Sequence, residues 1–182
     1  MRIHSVEISV SKLFFLALYY GFLYYLPQNT TPVFGKMACF LRYRCCRHIF
    51  KQCGTDVHIE RKAHFGSGRN ICIGSHSGIG VNACIPSNTI IGENVMMGPN
   101  CYILAQNHRF DRLDVPMIQQ GFDTPRQTII GDDVWIGRDV LMTPGRKIAD
   151  GCIIAGGCVL TKDFEPYSII GGNPGKVIKS RK

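Results

Sequence analysis

IGSHSGIGVNACIPSNTIIGENVMMGPNCYILAQNH, residues 73–108, carries an aliphatic side chain at every sixth position: Ile73, Ile79, Ile85, Ile91, Met97 and Ile103. A second stretch, IGDDVWIGRDVLMTPGRKIADGCIIAGGCVLTKDFE, residues 130–165, does the same with Ile130, Ile136, Met142, Ile148, Ile154 and Leu160. A period of six fits neither the 3.6-residue turn of an α-helix nor the two-residue alternation of a lone strand. It fits a β-helix, whose short strands turn a corner with every hexapeptide. Three hexapeptides per turn give four stacked coils, 73–90, 91–108, 130–147 and 148–165. No coil buries its inner face alone; stacking makes the core continuous.

The positions around the aliphatics support this reading. Glycine follows at 74, 80, 92, 98, 131 and 137, where a strand is expected to bend. Four places after an aliphatic stand Ala83, Val95, Val134 and Val140, and also Cys101, Cys152 and Cys158. Those cysteines therefore read as small apolar fillers. The nine cysteines are odd in number and form no CxxC pair, which points to reduced thiols in a cytoplasmic protein rather than a disulfide framework. Upstream, Ile59, Phe65 and Ile71 keep the six-residue step, and two extra residues then reset the phase to Ile73. An irregular first coil is expected from Val57.

Three segments stand outside the repeat. Residues 1–56 form an N-terminal apolar and basic helical segment: 1–12 are polar and expected to fray, and 13–26 (LFFLALYYGFLYYL) are apolar. That run is shorter than the roughly 18 residues of a membrane span, and no small-residue cleavage site follows it. It reads as a cap on the β-helix or a packing surface for another subunit, or as a membrane-interface anchor through Tyr19, Tyr20, Tyr24 and Tyr25. Residues 36–51 (KMACFLRYRCCRHIFK) read as an amphipathic helix with a solvated basic face. Within the domain at 57–165, residues 109–129 (RFDRLDVPMIQQGFDTPRQTI) obey no repeat, and a rigid solenoid that extrudes one long loop usually does so for function. The tail, 166–182, is expected to end in a short basic helix. A net charge of +8 points to a polyanionic partner such as a phosphorylated cofactor, an acidic membrane surface or an acidic glycan. No RNA or DNA motif accompanies the charge, so nucleic acid is set aside.

From about Val57 to the end the chain resembles the hexapeptide-repeat acyltransferases, in particular the galactoside, maltose and xenobiotic O-acetyltransferase branch. The resemblance is carried by NHRFD at 107–111, IIGDDVWIGRDV at 129–140, VLTKD at 159–163 and GGNPGKVIKSRK at 171–182. MMGPN at 96–100 and PMIQQG at 116–121 look most like members that serve polysaccharide biosynthesis. The resemblance implies a single-stranded left-handed parallel β-helix, a homotrimer, and acetyl-CoA in the cleft between neighbouring β-helices. No metal is expected, and the residues themselves point to a cytoplasmic protein, with the apolar segment at 13–26 allowing a peripheral place on the inner face of the membrane.

Acetyl transfer from a thioester to an alcohol needs a base, an oxyanion donor, a groove for pantetheine and cations for the nucleotide phosphates. Histidine, with a reference pKa near 6.5, is substantially neutral at pH 7 and able to accept a proton. His108 closes the last hexapeptide before the loop, and the resemblance places the family's catalytic histidine there. Asp111 stands three residues on, as a substrate-side group or an orienter of the imidazole, although a solvated loop aspartate is the plainer reading. By resemblance Asn82 holds the acceptor hydroxyl, Trp135 lines the cofactor cleft, and the backbone N–H of Arg138 or of its neighbour meets the oxyanion. Ala155 and Gly156 leave room for pantetheine, while Thr161, Lys162 and Lys176 fall on cofactor positions, the lysines facing phosphate as point charges. Arg146 departs from the family by replacing the usual Val of a PGV step, which implies either local distortion or an added polar contact. The expected activity is acetyl-CoA-dependent O-acetylation of a sugar or glycan hydroxyl. The alternatives are N-acetylation of an amino-sugar nucleotide and a non-catalytic β-helix scaffold; a zinc enzyme of the γ-carbonic anhydrase type would need three converging histidines.

Overall fold

A computed structural model describes residues 9–182. Two-residue strands stack in parallel on the faces of a β-helix. The first face runs Gln52–Cys53, Cys72–Ile73, Ile90–Ile91, Ile129–Ile130 and Lys147–Ile148. The second carries Met96–Met97, Trp135–Ile136, Ile153–Ile154 and Ser168–Gly171, and below them Gly78–Ile79 stacks on His58–Ile59. The third carries Tyr102–Ile103, Leu141–Met142 and Val159–Leu160, extended downward by single-residue bridges from Tyr102 to Cys84 and on to His64.

The register reproduces the sequence period. Cys72 pairs with Ile90 and Ile129 with Lys147, each 18 residues on, whereas Ile90 pairs with Ile129, 39 residues on. The excess, 39 − 18 = 21, is the loop. In the first coil Gln52 pairs with Cys72, 20 residues on, so the two extra residues before Ile73 are absorbed there. Gly66 and Gly68 in that turn both have positive φ. The ladder begins at Gln52, ahead of the boundary expected at 57.

Every repeat aliphatic is buried except Met97, which is partly so. The fillers Ala83, Val95, Cys101, Val134, Val140, Cys152 and Cys158 are buried beside them, and all nine cysteines are free thiols. Burial pushes the thiols of Cys45, Cys53 and Cys101 up to about 11.

The glycines after the aliphatics have a different role from the expected bend. None of Gly74, Gly80, Gly92, Gly98, Gly131 and Gly137 has positive φ. They permit close stacking: a Cβ on Gly98 would lie 2.6 Å from the Arg138 backbone nitrogen, and one on Gly137 2.5 Å from that of Gly156. The left-handed corner falls two residues later, at His76, Asn82, Asn94, Asn100, Asp133, Asp139, Gly145, Gly151 and Gly157. Asn, Asp and Gly are the residues that bear that conformation at least cost.

Both ends are closed. Helices α1 (Val10–Gly21) and α2 (Gly35–Ile49) cap the N-terminal end. Tyr19 is buried, its hydroxyl donating to Ala63 O at 2.7 Å, and the Tyr20 hydroxyl donates to Gly66 O at 2.9 Å. Residues 10–12, expected to fray, belong to α1, where Ser9 Oγ accepts from Lys12 N; the rest of that expectation, residues 1–8 with His4, lies outside the described residues. The C-terminal tail is a strand rather than the expected helix. Lys176–Ser180 pairs antiparallel with Ser168–Gly171, giving partners to edge N–H and C=O groups that a helix there would leave open. No helix among the described residues is long and apolar enough to cross a membrane.

Candidate active site

The loop is built as a clasp. Arg109 N donates to Gly121 O at 3.0 Å and Asp123 N to Asn107 O at 2.9 Å, so the two ends run antiparallel with His108 bridged to Phe122. Gln120 knits the tip: its Nε2 donates to Arg112 O and Val115 O, both at 2.8 Å, and its Oε1 accepts from Arg112 N at 3.1 Å. Gln127 Nε2 ties the loop's exit to Asn88 O on the preceding coil at 2.9 Å.

His108 is exposed, and its ring lies against Phe122 with centroids 4.2 Å apart at 33°. The imidazole thus projects from the end of a coil and packs against the returning loop. Beyond Phe122 opens a concavity of about 430 Å³ lined by Arg109, Phe110, Asp111, Phe122, Asp123 and Thr124. Asp111 faces it paired to Arg109 Nε at 3.5 Å, and makes no hydrogen bond to His108 among the described residues. Both partners are exposed, so this is a solvated ion pair at the site's edge.

The remaining expected residues fall on other corners. Trp135 is half exposed (51%) on the second face, in register between Met96 and Ile153. Arg138 stands at the corner that follows, its guanidinium Nε donating to Asp139 at 3.0 Å and its carbonyl accepting from Gly157 N at 2.9 Å. Its own N–H has no acceptor among the described residues. At the equivalent step of another corner, Glu93 N donates to Asp132 Oδ1 at 2.7 Å and Asp132 N to Asp150 Oδ1 at 2.9 Å. The Arg138 N–H is a donor left available by its surroundings.

Ala155 and Gly156 sit one coil above Gly137 and Arg138. A Cβ on Gly156 would come within 3.3 Å of Arg138 O, and one on Gly171 within 3.3 Å of the Ala155 methyl, so the edge is narrow and backbone-lined. Lys176 lies opposite Gly171 on the tail strand. Lys162 and Thr161 occupy the next corner, Lys162 Nζ lying 5.4 Å from the Phe164 ring centre. Both lysines are exposed, and neither is ion-paired among the described residues.

Asn82 is an exposed corner residue that donates to Asn100 Oδ1 at 3.1 Å, and Asn100 in turn donates to Asp139 Oδ1 at 2.8 Å. This ladder runs up three coils, and the Asn100 hydrogen bond holds the Asp139 carboxyl below the usual aspartate range, with Arg138 adding to the effect. Arg146 resolves as an added polar contact: it donates to Thr161 O at 2.9 Å and pairs with Asp163 at 3.4 Å. No group of three or more His, Cys, Asp or Glu side chains among the described residues is placed to hold a metal.

One chain therefore gathers Trp135, Arg138, Ala155, Gly156 and Lys176 along the second face and its edge, and presents His108 from a different corner. Sequence reasoning missed Phe122 and Gln120, which sit in the non-repeating loop, and Arg42, read as part of a solvated basic face. Arg42 is buried and its guanidinium donates to Ile59 O at 2.6 Å, Pro27 O at 3.0 Å, Leu26 O at 3.2 Å and Leu23 O at 3.4 Å. Four carbonyls converging on one arginine leave no pattern in the sequence.

A family model described as bacterial transferase hexapeptide (six repeats) matches residues 127–162. A Saccharomyces cerevisiae protein named as an acetyltransferase is 33% identical over 135 residues, covering 73% of this chain and 67% of that protein. Among solved structures, a maltose O-acetyltransferase from Clostridium difficile 630 superposes with a TM-score of 0.66 at 29% identity, over 94% of this chain and 87% of that one. A galactoside acetyltransferase in complex with coenzyme A gives a TM-score of 0.69 at 26% identity, over 94% and 81%. Chloramphenicol acetyltransferases match more strongly but locally: the Klebsiella aerogenes protein is 50% identical over 60 residues, 33% of this chain and only 29% of the length of that relative.

Proposed function

The chain belongs to the hexapeptide-repeat acetyltransferases, and from that premise we propose that it transfers the acetyl group of acetyl-CoA to a hydroxyl of a sugar or glycan precursor, in the assembly of a surface polysaccharide. The observation that carries the reading is His108, which ends a coil with its ring against Phe122, the aromatic that itself lines the neighbouring open, polar concavity. A neutral ring nitrogen of His108 takes the acceptor's hydroxyl proton as the oxygen attacks the thioester carbonyl. The oxyanion that forms is met by the Arg138 N–H, a kind of donor commonly worth about 3 kcal/mol of barrier. Collapse of the tetrahedral adduct breaks the C–S bond, and the proton on His108 passes to the departing thiolate. Asn82 is assigned to the acceptor side. Asp111 lines the same concavity through its pair with Arg109.

The separation of His108 from Trp135, Arg138, Ala155 and Gly156 within one chain supports a homotrimer, in which a cleft between neighbours joins one copy's histidine to the next copy's second face. The narrow edge at Ala155 and Gly156 suits a pantetheine arm, and Thr161, Lys162 and Lys176 suit the nucleotide end. The galactoside acetyltransferase in complex with coenzyme A shares 26% identity over nearly the whole chain and supports the same cosubstrate here. In this reading 57–165 is the acyltransferase domain, 166–182 its C-terminal brace, and the N-terminal segment 1–56 supplies, through residues 10–49, a cap that also allows the protein to associate with the inner face of the membrane.

The test is thiol release from acetyl-CoA against a panel of glycans and nucleotide sugars. An acceptor hydroxyl should be acetylated, and His108→Ala should lose 10²–10⁴-fold in rate while staying folded. Retention of more than about a tenth of the rate removes His108 as the base. Turnover confined to amino-sugar nucleotides would replace O- with N-acetylation, and no binding of acetyl-CoA would leave a scaffold.

A further inference from the structure

The cap has a second face that the β-helix does not use. On α1 the side chains of Tyr19, Phe15, Leu16 and Tyr20 pack inward, whereas Val10, Leu13, Phe14 and Leu18 are exposed, as is Phe22 just past the helix end. At i, i+3, i+4 and i+8, the four on the helix form one stripe along its outer side. The stripe continues into a groove of about 350 Å³ between the two helices, floored by Leu18, Phe22 and Leu41 and rimmed by Arg44 and His48, whose ring stacks on Phe15 at 4.1 Å.

The charge carried by the two helices is of one sign. Between Glu7 and Asp56 the sequence holds no carboxylate and six Lys and Arg residues: Lys12, Lys36, Arg42, Arg44, Arg47 and Lys51. Arg42 is buried, and none of the other five is ion-paired among the described residues. An apolar stripe and groove bordered by Arg44, on a helix pair whose exposed cations have no ion-pair partner among the described residues, are complementary to an anionic lipid surface. This face is poorly suited to a second copy of itself, because a two-fold contact would bring like charges together. At 12 residues α1 is about 18 Å long, too short for a hydrocarbon core of roughly 30 Å. It can only lie in the plane of the interface.

We propose that the outer face of the α1–α2 pair is a docking surface for the anionic bilayer, with Phe14, Leu18 and Phe22 entering the headgroup boundary and Arg44 and Arg47 meeting lipid phosphates. The inference rests on the peripheral-membrane part of the reading above and is independent of His108. It gives the acetyltransferase an acceptor delivered at the membrane surface, with the exposed loop carrying the site.

The test is co-sedimentation of the full chain with vesicles of phosphatidylcholine alone or mixed in equal parts with phosphatidylglycerol. Binding should require phosphatidylglycerol and weaken with salt. Arg44→Gln should lower the partition constant about fivefold, as expected for one cation near an anionic surface, and Phe14→Glu combined with Leu18→Glu should abolish binding. The paired variant alters exposed side chains only, and its melting curve and thiol-release rate on a soluble acceptor should match wild type. Absence of vesicle binding with turnover intact overturns the docking surface and leaves the catalytic reading standing. Binding that is indifferent to phosphatidylglycerol or to the paired variant overturns it also. A smaller oligomer in the paired variant, seen by sedimentation equilibrium, would reassign the face to an interface between copies.

Discussion

Arg42→Ala offers the most direct test of how the cap is held. The wild-type guanidinium serves backbone carbonyls from three places at once: Ile59 in the first coil, Leu23 and Leu26 at the end of the first helical segment, and Pro27 in the turn that follows. Glu60 stands 3.9 Å away, and its Oε2 accepts from Asn29 N at 3.0 Å. Truncation leaves four carbonyls short of a donor and one half-buried carboxylate short of its cation. Losing one partner of a buried polar pair costs about 1–3 kcal/mol, and losing one member of a buried ion pair about 3–5 kcal/mol. The contributions overlap, because all flow through one side chain, so the expected loss is about 3–5 kcal/mol rather than the sum. For a chain of this size that corresponds to a fall in Tm of roughly 6–20 °C. The cap can also undock while the coils stay folded, so the melt is paired with hydrogen exchange at residues 10–60, at fixed protein concentration. Arg42→Lys should recover only part of the loss, since one ammonium cannot reach all the carbonyls. A variant that melts within 2 °C of wild type, with unchanged protection across the cap, would refute the assignment of Arg42 as the clasp.

The stacking glycines and the corner glycines should respond differently. Gly137→Ala forces a methyl to 2.5 Å from the Gly156 nitrogen and is expected to cost about 1–3 kcal/mol, whereas Gly157→Asn, at φ +71° with open space around it, should cost under about 1 kcal/mol; thermal melts that ranked them the other way would contradict the stacking account. Asp139 tests the corner ladder by pH. Its folded-state pKa is depressed, so the ladder's contribution is complete above the unfolded value of about 3.9 and is lost as pH falls through the lower folded value. Carbon-detected NMR titration should show Asn100→Ala moving the Asp139 midpoint up towards that value, and an unmoved midpoint would remove Asn100 as the principal cause. Native thiol labelling at pH 8 should be slow at the buried Cys45 and Cys101, whose thiols sit at about 11, and all nine cysteines should react in denaturant; prompt modification of these two in the folded protein would contradict their burial.

How far the sequence could be read follows from how each feature is encoded. The coils were legible because stacking repeats one physical demand: an aliphatic side chain inward, a small filler four places on, and a glycine wherever the next coil's backbone passes overhead. The step from 18 to 39 in the pairing was visible for the same reason, as a period that stops after Ile103 and resumes at Ile130. The role of those glycines was misread because composition does not distinguish a residue chosen for φ from one chosen for lack of a Cβ; only the packing of Gly98 under Arg138 and Gly137 under Gly156 separates the two. The tail was misread as a helix because its basic residues suit either state, while the strand is imposed from outside by the open edge at Ser168–Gly171. The same division governs the candidate site. His108 stands out in the sequence by its position at a break in the period, a one-dimensional fact. Its neighbour Phe122, the Gln120 knot and the Arg42 clasp are defined by contacts across 14, 8 and up to 19 residues of chain with no periodic partner. A repeat writes its core into the sequence many times over, whereas the loop and the cap are each written once.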